Sequence, residues 1–294
     1  MKDQKSFLGH LFAFICAVVW GITYISTKVL LEAFSPIEIL WIRFLMAYLV
    51  LWVLYPKRSH FHGWKEELLF MGAGLSGVSL YFFLENTALT YTYASNVGVI
   101  VSIAPFFTGL LAMAFLKEER PGGRFFLGFA AAAAGIVLMS FGGNSVKLNP
   151  LGDLLAVIAS LTWGAYSVLT RKIGEGDHPV LLLTRKIFFY GLVFMIPMFF
   201  VYDFSPKLGN LMQGKYAGNL LFLGLIASAA CYVLWNKSIE YIGAVKSSLY
   251  IYLIPVVTLV SSGLILKERL AGLALAGAGL TLAGLLISEG KKRE

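Results

Sequence analysis

Charge is scarce in this sequence of 294 residues. Asp, Glu, Lys and Arg together make up 14% of it and hydrophobic residues 58%, whereas soluble domains carry about 25% charged residues. A water-soluble core of this length could not hide so much apolar surface, which argues against a soluble enzyme. Cysteine is almost absent. Cys16 and Cys231 both sit inside apolar runs and read as small buried hydrophobes rather than a disulfide or a metal site. Histidine is rare too. His60 and His62 share one loop and His178 precedes a proline in another; none has partners at metal-ligand spacing, so no metal is expected. No Gly-rich loop ends in Lys-Ser/Thr, so nothing points to ATP coupling or to a cofactor.

What the chain has instead is long apolar runs. A helix needs roughly 20 mainly apolar residues to cross hydrocarbon. Ten runs qualify, over about 8–31, 37–55, 66–89, 94–116, 124–141, 151–173, 180–202, 216–239, 244–266 and 270–288. The first follows Lys2 and Lys5 but continues to Val29 without a convincing cleavage site, so it reads as a retained helix rather than a signal peptide. The connections are short. None is long enough to form a catalytic or regulatory module outside the membrane.

The formal charge of +8 does not form a patch for nucleic acid; it orients the spans. With the N-terminus inside, Lys2, Lys5, Lys57, Arg58, Lys65, Lys117, Arg120, Arg124, Arg171, Lys172, Lys237, Lys246, Lys291, Lys292 and Arg293 fall on the cytoplasmic side. Lys28, Lys147, Lys207, Lys215, Lys267 and Arg269 fall on the other. The excess places both termini in the cytoplasm. Arg43, Arg185 and Lys186 lie within spans and are set aside, Arg43 as a residue able to snorkel.

The chain also repeats itself. Aligned without gaps from Gly9 and Gly152, it pairs Trp20 with Trp163, Gly21 with Gly164, Thr27 with Thr170 and Pro36 with Pro179. A second block, offset by 150, pairs Asn86 with Asn236, Ala94 with Ala244, Pro105 with Pro255 and Lys117-Glu118 with Lys267-Glu268. Each half, 1–142 and 143–294, thus holds five spans. Five is odd, so the second half enters the membrane with opposite polarity. The expected fold is an all-α polytopic membrane protein, ten transmembrane helices in two inverted repeats (5+5), the plan of alternating-access transporters with a site near the midplane.

These residues resemble the EamA family of the drug/metabolite transporter superfamily. The resemblance rests on Trp-Gly in the first helix of each half, the helix running from Ala94-Ser95-Asn96 to Pro105, the two Lys-Glu pairs and the Gly-spaced last helices. It covers about 9–288 and implies a secondary transporter whose cavity is lined by the first, third and fourth helices of each half. It does not imply a particular substrate.

Intramembrane ionisable groups are costly and mark function by default. Glu85 has no positive residue near it in sequence, and Tyr81, four residues earlier, shares its helix face. The matching positions of the second half are Cys231 and Trp235, so the carboxylate is no shared scaffold feature. Glu85 is expected to exchange a proton or to bind a cationic group; the plainer alternative is a hydrated carboxylate near the outer interface. Trp20 and Trp163, with Tyr24, Tyr166, Tyr232 and Trp235, form candidate aromatic walls for amphipathic or cationic solutes, or ordinary packing. Asn96 and Ser102 are further candidates for binding, against a role in helix–helix hydrogen bonds, as are Asn236, Ser247 and Ser248. Pro105 and Pro255 read as mid-helix kinks, fixed or flexing during gating. The Lys-Glu pairs read as structural turns, and Gly128, Gly135, Gly272, Gly277 and Gly284 as a close-packing seam.

The leading expectation is a secondary transporter of a small organic metabolite such as an amino acid, amine or drug-like solute, more an exporter than an uptake permease, with Glu85 carrying protons. A channel is less favoured. An intramembrane enzyme would need clustered His, Asp or Glu, and the spans supply Glu85 essentially alone.

Overall fold

The computed structural model describes residues 2–59, 61–91, 94–116, 121–141, 149–176, 178–202, 204–206, 208–265 and 272–289, and no strand occurs among them. Ten long helical segments follow one another, besides a short helix at Leu208–Leu211: α1 Lys2–Leu30, α2 Pro36–Leu54, α3 Trp64–Tyr91, α4 in two pieces, Ala94–Val101 and Ala104–Phe115, and α5 Gly123–Phe141. Then come α6 Pro150–Gly174, α7 Val180–Phe200, α8 Gly214–Ile242, α9 from Ala244–Leu249 to Leu253–Ile265, and α10 Gly272–Glu289. Eight are long and apolar enough to cross a membrane, and α5 and α10 carry the shorter apolar stretches Gly123–Leu138 and Leu275–Ser288. The chain is an all-α polytopic membrane protein. α1 begins several residues before the hydrophobic run, because Lys2 to Phe7 continue its first turns.

Local chemistry sets the helix ends. Ser35 caps α2: its hydroxyl accepts from the Glu38 N–H at 3.4 Å while its own N–H donates to Glu38 Oε2 at 2.8 Å, a reciprocal box that pairs two otherwise orphaned donors. Pro36 follows at the first helical position, where no donor is needed. Asn149 caps α6 through Gly152 N–H at 3.1 Å, again followed by proline. Gly243, at φ 89°, turns the chain between α8 and α9 through a left-handed conformation costly for any residue with a Cβ.

Packing crosses between the two sequence halves. α1 lies against α8 and α9, α6 against α3 and α4, and α2 against α7 and the middle of α8. α3 and α8 both widen into π-helical turns, over Leu75–Leu80 and Phe222–Ala230. α4 breaks at Ser102 and Ile103, and α9 tightens into a 3-10 turn at Tyr250–Tyr252. These irregular stretches fall at corresponding positions of the sequence repeat. Pro105 and Pro255 stand just after these irregularities, where a proline has no N–H to give to the preceding turn.

α5 and α10 pair more closely than any other helices. A Cβ built on Gly135 would lie 2.5 Å from the Thr281 backbone N, and one on Gly284 2.5 Å from Ala132 N. Small residues here let two backbones touch. Lys117-Glu118 and Lys267-Glu268 lie outside the described residues, and so does the turn role expected of them.

Gly135→Leu and Gly284→Leu should therefore destabilise the protein by about 1–3 kcal/mol or more, since overpacking costs at least that. Gly279→Ala, with nothing within 4 Å of its added Cβ, should cost nothing. Thermal unfolding in detergent checks all three; equal melting points would refute the seam.

Candidate substrate site

Four helices bring aromatic rings to the centre of the bundle. α1 contributes Trp20 and Tyr24 from successive turns of one face, α3 Tyr81 and Phe82, α6 Trp163 and Tyr166, and α8 Tyr232 and Trp235. Trp20 meets Trp163 edge to face, with centroids 5.2 Å apart and planes at 87°. Trp20 also lies 4.9 Å from Trp235, and Trp163 lies 4.8 Å from Tyr81 and 5.1 Å from Tyr166. These are favourable quadrupole geometries. All these rings are buried.

Glu85 stands at one side of the cluster, 8% exposed. Tyr81, one turn earlier, donates its hydroxyl to Glu85 Oε1 at 2.9 Å, and the Tyr24 hydroxyl interacts with the same carboxyl. Trp20, Thr23, Tyr24, Tyr81, Glu85 and Trp163 line a cavity with Val101 of α4 and Ile251 and Ile254 of α9. Its free space is about 20 Å³, room for a single water and not for a metabolite. Tyr166, Tyr232 and Trp235 form a deeper layer behind this wall.

One ring of each layer is held by a hydrogen bond to loosened backbone. Tyr232 donates to the Gly77 carbonyl at 2.6 Å, and Trp20 Nε1 to the Ala227 carbonyl at 3.0 Å. Both carbonyls belong to π-helical turns and occupy matching repeat positions. The Tyr166 hydroxyl donates to Asn236 Oδ1, whose amide donates to Thr184 Oγ1 at 2.9 Å. By contrast, the indole N–H groups of Trp163 and Trp235 have no acceptor among the described residues.

Other expected residues stand apart. The side chain of Asn96 lies outside the described residues. Ser102 is buried, but its hydroxyl donates back to Val99 O within α4, so it caps the break rather than facing the cavity. Ser247 pairs with Ser238 at 2.8 Å, and Ser248 bonds Val245 O at 2.7 Å. Cys16 and Cys231 are free and buried, the Cys16 thiol donating to the Cys231 carbonyl at 3.2 Å.

Arg43 is the residue that sequence reasoning misplaced. It is 1% exposed and does not snorkel. Its side chain points inward from α2, Nε donating to Ser228 Oγ at 2.9 Å and the guanidinium lying 4.4 Å from the Phe82 centroid and 5.3 Å from Phe44. Nη2 has no acceptor among the described residues, and the charge acts on Glu85. The repeat register held the signal: Arg43 matches Lys186, so both second helices carry a cation at one place. Lys186 pairs with Glu67 at 2.7 Å, but the residue of α8 matching Glu67 is Ala217.

A bundle of apolar helices enclosing a carboxylate, a buried guanidinium and an aromatic box has the form of a membrane transporter. The chain belongs to the EamA-like transporter family, whose model matches it twice, over residues 7–141 and 150–289. It is 26% identical to a protein of Archaeoglobus fulgidus named "Uncharacterized transporter", over 97% of this chain and 98% of that one. It is 26% identical to the "Probable amino-acid metabolite efflux pump" of Escherichia coli K12, over 94% and 93%, and 28% identical to "Protein PecM" of Dickeya dadantii, over 94% and 90%. A solved crystal structure shares the fold at a TM-score of 0.74 and 18% identity, over 95% of both chains. The protein is a membrane transporter of small metabolites.

Replacing a buried charge that lacks full pairing by an apolar side chain of similar volume is often neutral or stabilising, by about 1–4 kcal/mol. Arg43→Met should accordingly leave the melting temperature unchanged or raised, while Arg43→Ala, which leaves a cavity, should lower it. A fall for Arg43→Met as large as for Arg43→Ala would make Arg43 a structural support instead.

Proposed function

We propose that the protein is a secondary active exporter, moving a small amphipathic cationic or zwitterionic metabolite out of the cell by alternating access and taking up protons on Glu85. The observation that carries this reading is the buried Glu85–Tyr81 pair on the wall of the aromatic cavity, where Trp20 and Trp163 from the two sequence halves meet. A carboxylate held by tyrosine hydroxyls can release its proton without losing its hydrogen bonds. Arg43 supplies a positive charge on the same side of the bundle, and an arriving cation competes with the proton for the carboxylate. Solute and proton then exclude one another, which is the requirement for exchange. The relative named an amino-acid metabolite efflux pump supports the outward direction and the solute class.

The tight cavity fits an occluded state. Access would come from rocking of two inverted five-helix repeats, with the cross-packed α1–α8–α9 and α6–α3–α4 groups as walls. The broken α4 and the 3-10 turn of α9 border the cavity through Val101 and Ile251, which makes them the natural flexing points. By the Lys/Arg excess, both termini lie in the cytoplasm and the protein spans the cell membrane.

The test begins with a thermal-shift screen against amino acids, amines, nucleosides and dyes, since a solute bound by the folded state raises apparent stability. The stabilising solute is then followed in proteoliposomes. A one-unit pH gradient should drive up to about tenfold accumulation by wild type, the limit for exchange of one proton. Glu85→Gln should lose this gradient dependence while still exchanging labelled for unlabelled solute. Undiminished gradient dependence in Glu85→Gln would overturn the proton role.

A further inference from the structure

A second pocket, far larger than the first, opens where α2 ends and α3 and α7 begin. Its volume is about 410 Å³, within the range of small-molecule sites. Three cations line it, Arg58, Arg185 and Lys186, with one carboxylate, Glu67. That carboxylate is already satisfied: Lys186 Nζ lies 2.7 Å from Glu67 Oε2, and the Tyr190 hydroxyl donates to Oε1. The neighbouring carboxylate, Glu66, is turned to His62 and His178, at 3.3 and 3.2 Å. Arg58 and Arg185 therefore form no ion pair with any described carboxylate.

Arg185 is held for use rather than merely present. Its two terminal nitrogens donate to the carbonyls of Tyr55 and Lys57, and its guanidinium stacks over Trp52 at 4.5 Å. A guanidinium carries five N–H donors, so three remain after those bonds. Backbone carbonyls orient the group without neutralising it. An oriented guanidinium beside a second arginine is the chemistry that recognises a phosphate.

The surroundings say what else the ligand carries. Trp52, Phe61 and Phe189 of the pocket are each 36% exposed or more, in the place where aromatic side chains mark the membrane–water interface. Leu49 and Val53 of α2, 53% and 81% exposed, and Phe189 and Val193 of α7, 45% and 40%, add exposed apolar surface on the two helices that border the pocket. α2 and α7 pack side by side, and an acyl chain would lie in the groove that such a helix pair leaves on its lipid side. A phosphate at one end and hydrocarbon along the groove describe one molecule.

We propose that this pocket is a binding site for an anionic phospholipid, its headgroup phosphate on Arg58 and Arg185 and its acyl chains in the groove between α2 and α7. The site is separate from the Glu85 cavity and rests only on the chain's being a membrane protein. Basic pockets between helices near the interface hold such headgroups.

The test uses full-length protein in detergent, titrated with phosphatidylglycerol, phosphatidylcholine or glycerol 3-phosphate while thermal unfolding is followed. Phosphatidylglycerol should raise the melting temperature saturably, and the other two should not. Arg58→Gln, which removes no hydrogen bond seen in the structure, should weaken the apparent affinity about tenfold, the worth of one charge-assisted contact. Arg185→Lys keeps the charge and loses the fork, and should weaken it similarly. Equal stabilisation by phosphatidylcholine, or unchanged affinity in Arg58→Gln, overturns the site. An equal shift with glycerol 3-phosphate overturns the lipid and leaves a soluble phosphate ester as the occupant.

Discussion

Hydrocarbon offers no partner to a peptide group, so every carbonyl loosened inside the bundle must find its donor within the protein. This constraint organises the centre of the molecule. The π-helical turns of α3 and α8 loosen the regular ladder, and the bundle answers with aromatic side chains: Tyr232 on Gly77 O and Trp20 on Ala227 O. Those two bonds tie α8 to α3 and α1 to α8 across the sequence halves. They also fix the rings that line and back the cavity. Irregular backbone and aromatic box are thus two sides of one arrangement.

The same accounting leaves a surplus. With Gly77 O taken by Tyr232, the Trp163 indole, counterpart of Trp20, keeps its N–H unpaired, as do the Trp235 indole and Nη2 of Arg43. These three donors stand around the same box whose carboxyl group is Glu85. In the proposed function, these donors would meet the lone pairs of a zwitterionic solute while Glu85 meets its positive charge. The two halves differ at this centre: Glu85 faces Trp235 in the repeat register and Tyr232 faces Phe82.

Much of this was readable in the sequence, and what was not has a physical reason. Apolar run length gave the ten helices, because a span needs only length and composition to be recognised. Helical periodicity put Tyr81 and Glu85 on one face, and their bond at 2.9 Å follows from that spacing alone. Arg43 went astray because burial of a cation depends on what the facing helix offers, here Ser228 and the rings of Phe44 and Phe82. The π-helical turns were invisible, since widening costs the sequence no special residue. Pro105 and Pro255 marked the places where α4 and α9 turn irregular, because a missing N–H is written in the sequence itself. The basic pocket was hidden because Arg58 sits in a loop while Arg185 and Lys186 sit in a span, and counting by segment separates them.

The seam between α5 and α10 has a mechanical meaning. Where Gly128, Gly135 and Gly284 let the two backbones approach, only the short side chains of Ser288 and Thr281 stand at the contact, with little freedom to take up displacement. Gly74 makes a similar backbone approach to Gly191 between α3 and α7, but over a single turn. Under the proposed rocking of the halves, this line of contact would turn rather than slide, with α5 and α10 as the fulcrum and the aromatic box on the arms.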